Sequence, residues 1–183
     1  VTGLRAKIST TTLNINQNLT TNANHIGATT NNIQSGKILT LNGGTLAGNL
    51  ASSGALTIDG AVSATVAQLG HGGTTTVNSS KSLTLTSGTL AKAISNNGTV
   101  VLSGTATIND ATITGGTLRI SRDLSINAGY LDTATTVDTG KTLTLNAGAL
   151  GKTISNTSSN TGTVTLTNVT GLSAKISTTT LNI

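Results

Sequence analysis

The sequence predicts an all-β fold, a single-stranded parallel β-solenoid (a β-helix) that forms one continuous domain over residues 1–183. Three observations predict it: short runs in which apolar and polar residues alternate, a near absence of aromatic residues, and repeats on two length scales. A solenoid accounts for all three, because each strand stacks on a similar strand one coil away around a narrow interior.

The alternating runs occur throughout the chain, and Gly, Asn, Ser or Asp residues bound each of them. Alternation with a period of two is typical of a strand that has one buried face. We expect the first apolar residue of each run to point inward and to stack on its counterpart in the next coil. The predicted inward stack consists of Leu13, Leu39, Leu56, Leu83, Val100, Leu124, Leu143, Val164 and Leu181.

The two ends of the sequence contain the same segment. Residues 1–15 recur as residues 169–183, and the two segments are identical except that Arg5 is replaced by Ser173. Compositional bias does not produce such a match, so we predict a tandem unit that spans residues 1–168. We expect the chain to be one unit plus an overlap, within a longer repetitive protein or filament.

A shorter repeat divides the tandem unit. The predicted inward stack runs from Leu13 to its own repeat at Leu181 in eight steps, which predicts eight coils of roughly 21 residues on average. The segments 36–46, 80–90 and 140–150 (GKILTLNGGTL, SKSLTLTSGTL and GKTLTLNAGAL) align without gaps and support this register. With about 4.8 Å between coils, eight coils predict roughly 38 Å of rod per unit.

Composition excludes several kinds of function. The chain contains no Cys, which excludes disulfides, thiolate catalysis and the usual structural zinc sites. Tyr130 is its one aromatic residue, so nucleic-acid bases would lack stacking partners. No run approaches the roughly 18 apolar residues of a membrane span. We therefore expect no cofactor, no nucleic-acid partner and no membrane insertion by this segment.

The repeats at 95–110 (SNNGTVVLSGTATIND), 140–156 (GKTLTLNAGALGKTISN) and 162–168 (GTVTLTN) resemble the passenger and stalk repeats of bacterial autotransporters and of filamentous-haemagglutinin-like giant adhesins. The likeness covers most of the chain. It implies a right-handed parallel β-helix, export to the bacterial cell surface, and a role in adhesion, biofilm or surface-fibre formation. It implies no functional side chains, because these repeats build a scaffold.

Two histidines are the first candidates for a site. His25 and His71 are separated by close to two coils in the predicted register, which makes them candidates for a metal-binding pair. Neither Cys nor Glu accompanies them, and their surroundings, NH at 24–25 and GHGG at 70–73, are typical of exposed turns. We favour exposed turns and predict no metal site.

The acidic residues are candidates for a polysaccharide-cleaving site, in which neighbouring coils supply paired carboxylates. Asp123, Asp132 and Asp138 are the nearest cluster, while Asp59 and Asp110 lie apart. Such a site needs aromatic platforms for sugar rings, and the chain offers a single aromatic residue. We favour solvated turn carboxylates and predict that the chain is not an enzyme.

The net charge of +5 invites an anionic partner. Lys37, Lys81 and Lys141 occupy the same place in the three aligned segments, and Lys7 and Lys175 occupy the same place in the long repeat. We therefore expect a thin ladder of lysines along the rod, with a weak attraction to acidic surface polysaccharide.

A solenoid face that carries a Thr-x-Thr pair in each coil would suit an ice-binding protein. Ile38, Val101 and Asp123 occupy the equivalent places in some coils and interrupt such a face, and Thr is also an ordinary strand former. The pairs are Thr10 and Thr12, Thr84 and Thr86, Thr142 and Thr144, Thr163 and Thr165, and Thr178 and Thr180.

The sequence therefore predicts a structural surface stalk or extracellular fibre of a bacterium, which supports adhesion or biofilm cohesion through end-to-end continuation of solenoid units. The predicted partners are further units, in the same chain or in a second copy. Two alternatives stay open: an ice-binding protein with a Thr-x-Thr face, and a polysaccharide-acting β-helix enzyme.

Overall fold

The computed structural model describes residues 3–109, 112–156 and 161–183. They form an all-β solenoid of about nine turns, in which parallel strands stack about 19 residues apart, so the predicted fold class is confirmed. Each turn crosses three sides of the coil in a fixed order, and we name these sides face 1, face 2 and face 3.

The strands of each face pair in parallel with strands one turn away. Face 1 is formed by Thr12–Ile15, Thr30–Ile33, Asn49–Ala51, Thr89–Leu90, Thr107–Ile108, Leu124–Ile126, Thr142–Leu145, Thr163–Leu166 and Thr180–Asn182. Face 2 is formed by Leu19–Thr21, Ile38–Leu41, Ala55–Ile58, Thr75–Val77, Ile94–Asn96, Ile113–Thr114, Ala149–Leu150 and Gly171–Leu172. Face 3 is formed by Gly44–Thr45, Ala61–Ala64, Ser82–Leu85, Thr99–Leu102, Thr117–Ile120, Ala134–Val137, Ile154–Ser155 and Ile176–Ser177.

Short 3-10 turns take the place of a strand once on each face. They keep the hydrogen bonding between turns, since the N–H of Ala23 donates to the carbonyl of Gly43 at 2.8 Å. Asn22 and Asn127 each cap such a turn by accepting the N–H two residues further on. The 3-10 turns are Ala67–Leu69 on face 1, Ala128–Tyr130 on face 2 and Ala23–His25 on face 3.

The alternating runs place aliphatic side chains in the interior, as in Leu83 and Leu85, which are fully buried on either side of the outward Thr84. The buried apolar side chains of the described residues are all Ala, Val, Leu or Ile. Three faces that close on one another leave a narrow core, and residues of this size fill it.

The predicted inward residues do not form one stack, because they are divided among the three faces. Seven of the nine are buried; Leu13 is half-buried and Leu181 is 42% exposed, since they lie in the first and last turns. Face 1 holds Leu13, Leu124, Leu143, Val164 and Leu181, face 2 holds Leu39 and Leu56, and face 3 holds Leu83 and Val100.

The 168 residues from Leu13 to Leu181 make nine turns rather than the predicted eight. Three of the predicted steps connect inward residues that lie on different faces. Each of these steps covers one turn and a third rather than one turn, so the three together account for the turn that the prediction missed. The missed inward neighbours include polar residues: Leu13 pairs with Asn31, and Leu56 pairs with Thr75. Nine turns extend over about 43 Å. The three steps run from Leu13 to Leu39, from Leu56 to Leu83 and from Val100 to Leu124.

The three aligned segments share the same local turn before the lysine, but they lie at different positions around the coil. In each, the lysine N–H donates to the carbonyl three residues earlier, and the residue before the lysine has a positive φ. The predicted lysine ladder is therefore wrong, because Lys37, Lys81 and Lys141 lie at three different corners. The strands that follow them are Ile38–Leu41 on face 2, Ser82–Leu85 on face 3 and Thr142–Leu145 on face 1.

Asparagine occupies two inward positions next to corners. Asn31 is fully buried, and its Nδ2 donates to the carbonyls of Ala28 at 3.0 Å and Asn49 at 3.2 Å. Asn96 is fully buried as well and donates to two carbonyls of the next turn. Each amide thus satisfies backbone acceptors that a corner would leave without a partner.

We predict that Gly48→Ala destabilises the solenoid, because a Cβ at Gly48 would overlap the carbonyl oxygen of Ala28 one turn away. Separating the two turns should lower the free energy of unfolding, measured in urea, by about 1–3 kcal/mol or more. Gly151→Ala is the control, since no heavy atom lies within 4 Å of its Cβ, and it should change stability by less than about 0.5 kcal/mol. Equal effects at both glycines would contradict the proposed contact.

Candidate functional site

The first turn leaves the solenoid core open at one end. A cavity of about 380 Å³ lies there, lined by residues between Leu4 and Leu19. Its apolar lining includes Ile8, Leu13 and Ile15, and all of its lining residues lie within the first 19 residues of the chain. The cavity is thus the uncovered end of the core and not a pocket in the side of the coil.

The last turn exposes apolar side chains at the opposite end. Leu172 is 54% exposed, Leu181 is 42% exposed and Ile183 is 96% exposed. In the described part of the chain, Ile38 is the one other large apolar residue that is exposed. Three of the four exposed large apolar residues among those described therefore lie in the last turn.

The long repeat is in phase with the coil. Ile8 and Ile176 both lie on face 3, and Leu13 and Leu181 both lie on face 1. The predicted tandem unit of residues 1–168 therefore corresponds to a whole number of turns. Equivalent residues of the two copies point in the same direction, nine turns apart.

Face 2 carries an outward row of hydroxyl groups over six turns. With about 4.8 Å per turn, the row extends over roughly 24 Å. The sequence analysis did not predict this row, because it considered Thr-x-Thr pairs along the chain. The row instead has one hydroxyl residue in each turn, between two inward-facing residues. The row is Thr20, Thr40, Thr57, Thr76, Ser95 and Thr114, each paired with the next.

The Thr-x-Thr pairs do not share one continuous surface. Thr84 and Thr86 belong to face 3, and the hydroxyls of Thr10 and Thr178 donate to carbonyls two residues further on. Two pairs stack in register on neighbouring turns of face 1. Among the described residues, the adjoining turns do not continue this surface with another Thr-x-Thr pair. These two pairs are Thr142 with Thr144 and Thr163 with Thr165.

The structure places the two histidines on different sides of the coil. His25 ends the 3-10 turn on face 3, with its Nδ1 3.4 Å from the hydroxyl of Thr21. His71 lies at the corner between faces 1 and 2 and is 2% exposed, so the expected exposed turn there is wrong. Within the described ranges, no three His, Cys, Asp or Glu side chains are grouped to hold a metal ion.

Lys92 covers the turn that contains His71. Its Nζ donates to the carbonyls of His71 at 2.6 Å and Gly73 at 3.2 Å, with a longer contact of 3.5 Å to Leu69. Burial, followed by the charge of Lys92, lowers the pKa of His71 to about 4, and burial lowers the pKa of Lys92 as well. The ammonium group thus holds the corner together beside an imidazole that is neutral at pH 7.

Asp138 is held by an arginine of the preceding turn. Arg119 donates from Nε to Oδ1 at 2.7 Å and from Nη2 to Oδ2 at 2.9 Å. Burial raises the pKa of Asp138, but hydrogen bonds from Arg119 and Ser121 outweigh it, so the carboxyl pKa lies below its ordinary value. This carboxylate links two turns of face 3, and both of its oxygens accept hydrogen bonds from Arg119.

The other members of the predicted aspartate cluster have separate partners. Asp132 lies 3.9 Å from the Nζ of Lys152, and Asp123 accepts the N–H of Thr142 at 2.8 Å. Asp110 lies outside the described residues. Asp123, Asp132 and Asp138 therefore each contact a different residue, and they do not form a carboxylate pair.

No known protein family, no curated protein and no solved structure matches this chain. The fold itself defines its class, a parallel β-solenoid of about nine turns. The described residues include no helix that is long and apolar enough to cross a membrane.

We predict that His71 makes the solenoid less stable in acid. Its folded-state pKa of about 4 lies below the unfolded value of 6.5, so the unfolded chain takes up the proton first as the pH falls. Relative to His71→Gln, the free energy of unfolding should drop by roughly 3 kcal/mol between pH 7 and pH 4. His25→Gln is the matched control and should keep this loss, because His71 is still present. A parallel pH profile for wild type and His71→Gln would overturn the prediction.

We also predict that inward and outward residues differ in their tolerance of substitution. Leu143 is fully buried, so Leu143→Asp places a charge in the core and should destabilise by at least about 4 kcal/mol, measured by thermal or urea unfolding. Asp132→Ala removes only an exposed contact of 3.9 Å and should change stability by less than about 0.5 kcal/mol. Loss of a measurable activity on Asp132→Ala, with the fold intact, would contradict a purely structural role.

Proposed function

We propose that the chain is a rod-forming structural element of a bacterial cell surface, a stalk or extracellular fibre that supports adhesion or biofilm cohesion. One observation carries the proposal: the tandem unit of residues 1–168 equals nine whole turns. Successive units then continue the coil without a change of phase, and the number of units sets the length of the rod.

The surroundings of the repeated segment support continuation by a tandem unit. In its first copy, Lys7 lies against Gly27 of the next turn, where a Cβ would overlap the lysine Cε. Asn14 Oδ1 accepts a hydrogen bond from Asn32 Nδ2 at 2.9 Å. A following unit would place the same glycine and asparagine over residues 169–183, because residues 16–33 follow the repeated segment in the unit.

The surface location is supported by the likeness of the repeats to autotransporter and filamentous-haemagglutinin-like passengers, which is a likeness of sequence pattern. We propose further units as the main partner, because the predicted tandem unit is in phase with the coil, so a following unit would continue the stacking of strands. Acidic surface polysaccharide is a second proposed partner, because the chain carries a net charge of +5.

The two alternative functions have less support. Ice binding would use a broad Thr-x-Thr surface, and such pairs coincide in register on two neighbouring turns of face 1. A polysaccharide-cleaving enzyme would use paired carboxylates, whereas the aspartates discussed above have separate partners.

The test is a chain of two units, in which residues 1–183 are followed directly by a second copy of residues 16–183. We expect one unbroken rod that is longer by nine turns, about 43 Å, in electron micrographs and in solution scattering. A third unit should add the same length again. Two flexibly linked particles, or an added length that does not match nine turns, would overturn the proposal.

A further inference from the structure

The chain contains two Asn-Gly pairs, and both lie at the corner where face 2 leads into face 3. Asn42 and Asn97 each follow the last residue of a face 2 strand, and the register of those strands places them in one outward column, three turns apart. Both asparagines are exposed. The two pairs are chemically alike, so a difference in their reactivity has to come from the fold.

The N–H groups of the two glycines have different surroundings. The N–H of Gly98 donates to Oδ1 of Asn96 at 3.1 Å. Asn96 is fully buried, and its Nδ2 donates to two carbonyls of the next turn, so this acceptor is held in place. The equivalent position in the other pair is Leu41, which offers no acceptor. The N–H of Gly43 makes no hydrogen bond to a described residue.

We propose that Asn42 is a site of spontaneous deamidation and that the fold protects Asn97 from the same reaction. The backbone nitrogen of Gly43 attacks Cγ of Asn42 and gives up its proton to solvent. The Cγ–Nδ2 bond breaks, and Nδ2 takes up a proton and leaves as ammonia. Water then opens the resulting succinimide ring at either of its two carbonyl carbons, which yields aspartate or isoaspartate at position 42.

The hydrogen bond at Gly98 is the reason for the difference. Asparagine is a thermolabile residue, and a following glycine carries no side chain that would obstruct the attack. To attack, the nitrogen of Gly98 must leave its bond to Asn96, and a buried Oδ1 then loses its donor. Breaking such a bond slows the reaction roughly tenfold. The nitrogen of Gly43 has no such bond to break.

Deamidation of Asn42 acts on the contact between two turns. Asp59 occupies the next place in the column, so a carboxylate at position 42 puts like charges one turn apart, which destabilises stacked strands. The backbone of Gly60 packs closely on Asn42, since a Cβ at Gly60 would overlap the Asn42 carbonyl oxygen. Isoaspartate lengthens the main chain by one methylene group at this contact. Both products therefore loosen the corner as the protein ages, and in the proposed rod the site would recur once in each unit.

The first experiment follows both asparagines in the intact chain by peptide mapping with mass spectrometry. The chain is kept in mildly alkaline buffer, once folded and once in urea. Trypsin then separates the two sites into the peptides 38–81 and 93–119. We expect Asn42 to convert roughly tenfold faster than Asn97 in the folded chain, and the two rates to become similar in urea.

Two substitutions test the role of the hydrogen bond. Leu41→Asn supplies an acceptor to Gly43 and should slow the conversion of Asn42, whereas Asn96→Leu removes the acceptor and should accelerate the conversion of Asn97, each roughly tenfold. If either variant does not fold, the wild-type rates in the folded chain and in urea decide. Equal rates in the folded chain, no conversion of Asn42 there, or a difference that persists in urea would overturn the proposal.

A second measurement tests the effect of the new charge on stability. Asn42→Asp should raise the unfolding equilibrium constant two- to fivefold, roughly, at low salt, and high salt should reduce this effect. Asn97→Asp is the matched control, because its neighbour in the column is the uncharged Asn78, and it should show no such repulsion. A loss of stability that is the same in both variants and independent of salt would exclude the repulsion between positions 42 and 59.

Discussion

Backbone hydrogen bonding between successive turns is the interaction on which the rest of the structure depends. Every strand pairing among the described residues is parallel and in register, and the 3-10 turns maintain the same contacts. Each turn must therefore follow the contour of its neighbour. Glycine is required where that contour brings two backbones together, as at Gly48 against Ala28 and at Gly60 against Asn42.

The same constraint decides what fills the interior. Three faces, on which stacked strands lie about 19 residues apart in sequence, leave a narrow core, which Leu, Ile, Val and Ala fill without aromatic residues. Polar residues enter where their side chains satisfy the backbone at a corner. Asn31 and Asn96 do so with their amides, each bonded to a carbonyl of a neighbouring turn.

A coil that satisfies its strand edges internally has unsatisfied edges at its ends alone. The exposed apolar residues of the last turn and the open core of the first turn follow from this geometry. The sides of the rod present short polar residues, with the hydroxyl row of face 2 as their most regular feature. The rod-forming role proposed above would use this geometry, since a further unit adds its strands along the axis.

The sequence by itself determined the fold class and many of the strands, and it predicts the tandem unit, because alternation and repetition are local patterns that any solenoid must carry. Only the tertiary structure decided which strands stack on one another. Inward positions at Asn31 and Thr75 carry no aliphatic signal, so the chain pattern passed over them in two of the three steps that change face. The hydroxyl row and the contact between His71 and Lys92 join residues of different turns, and their positions depend on the assignment of each strand to a face.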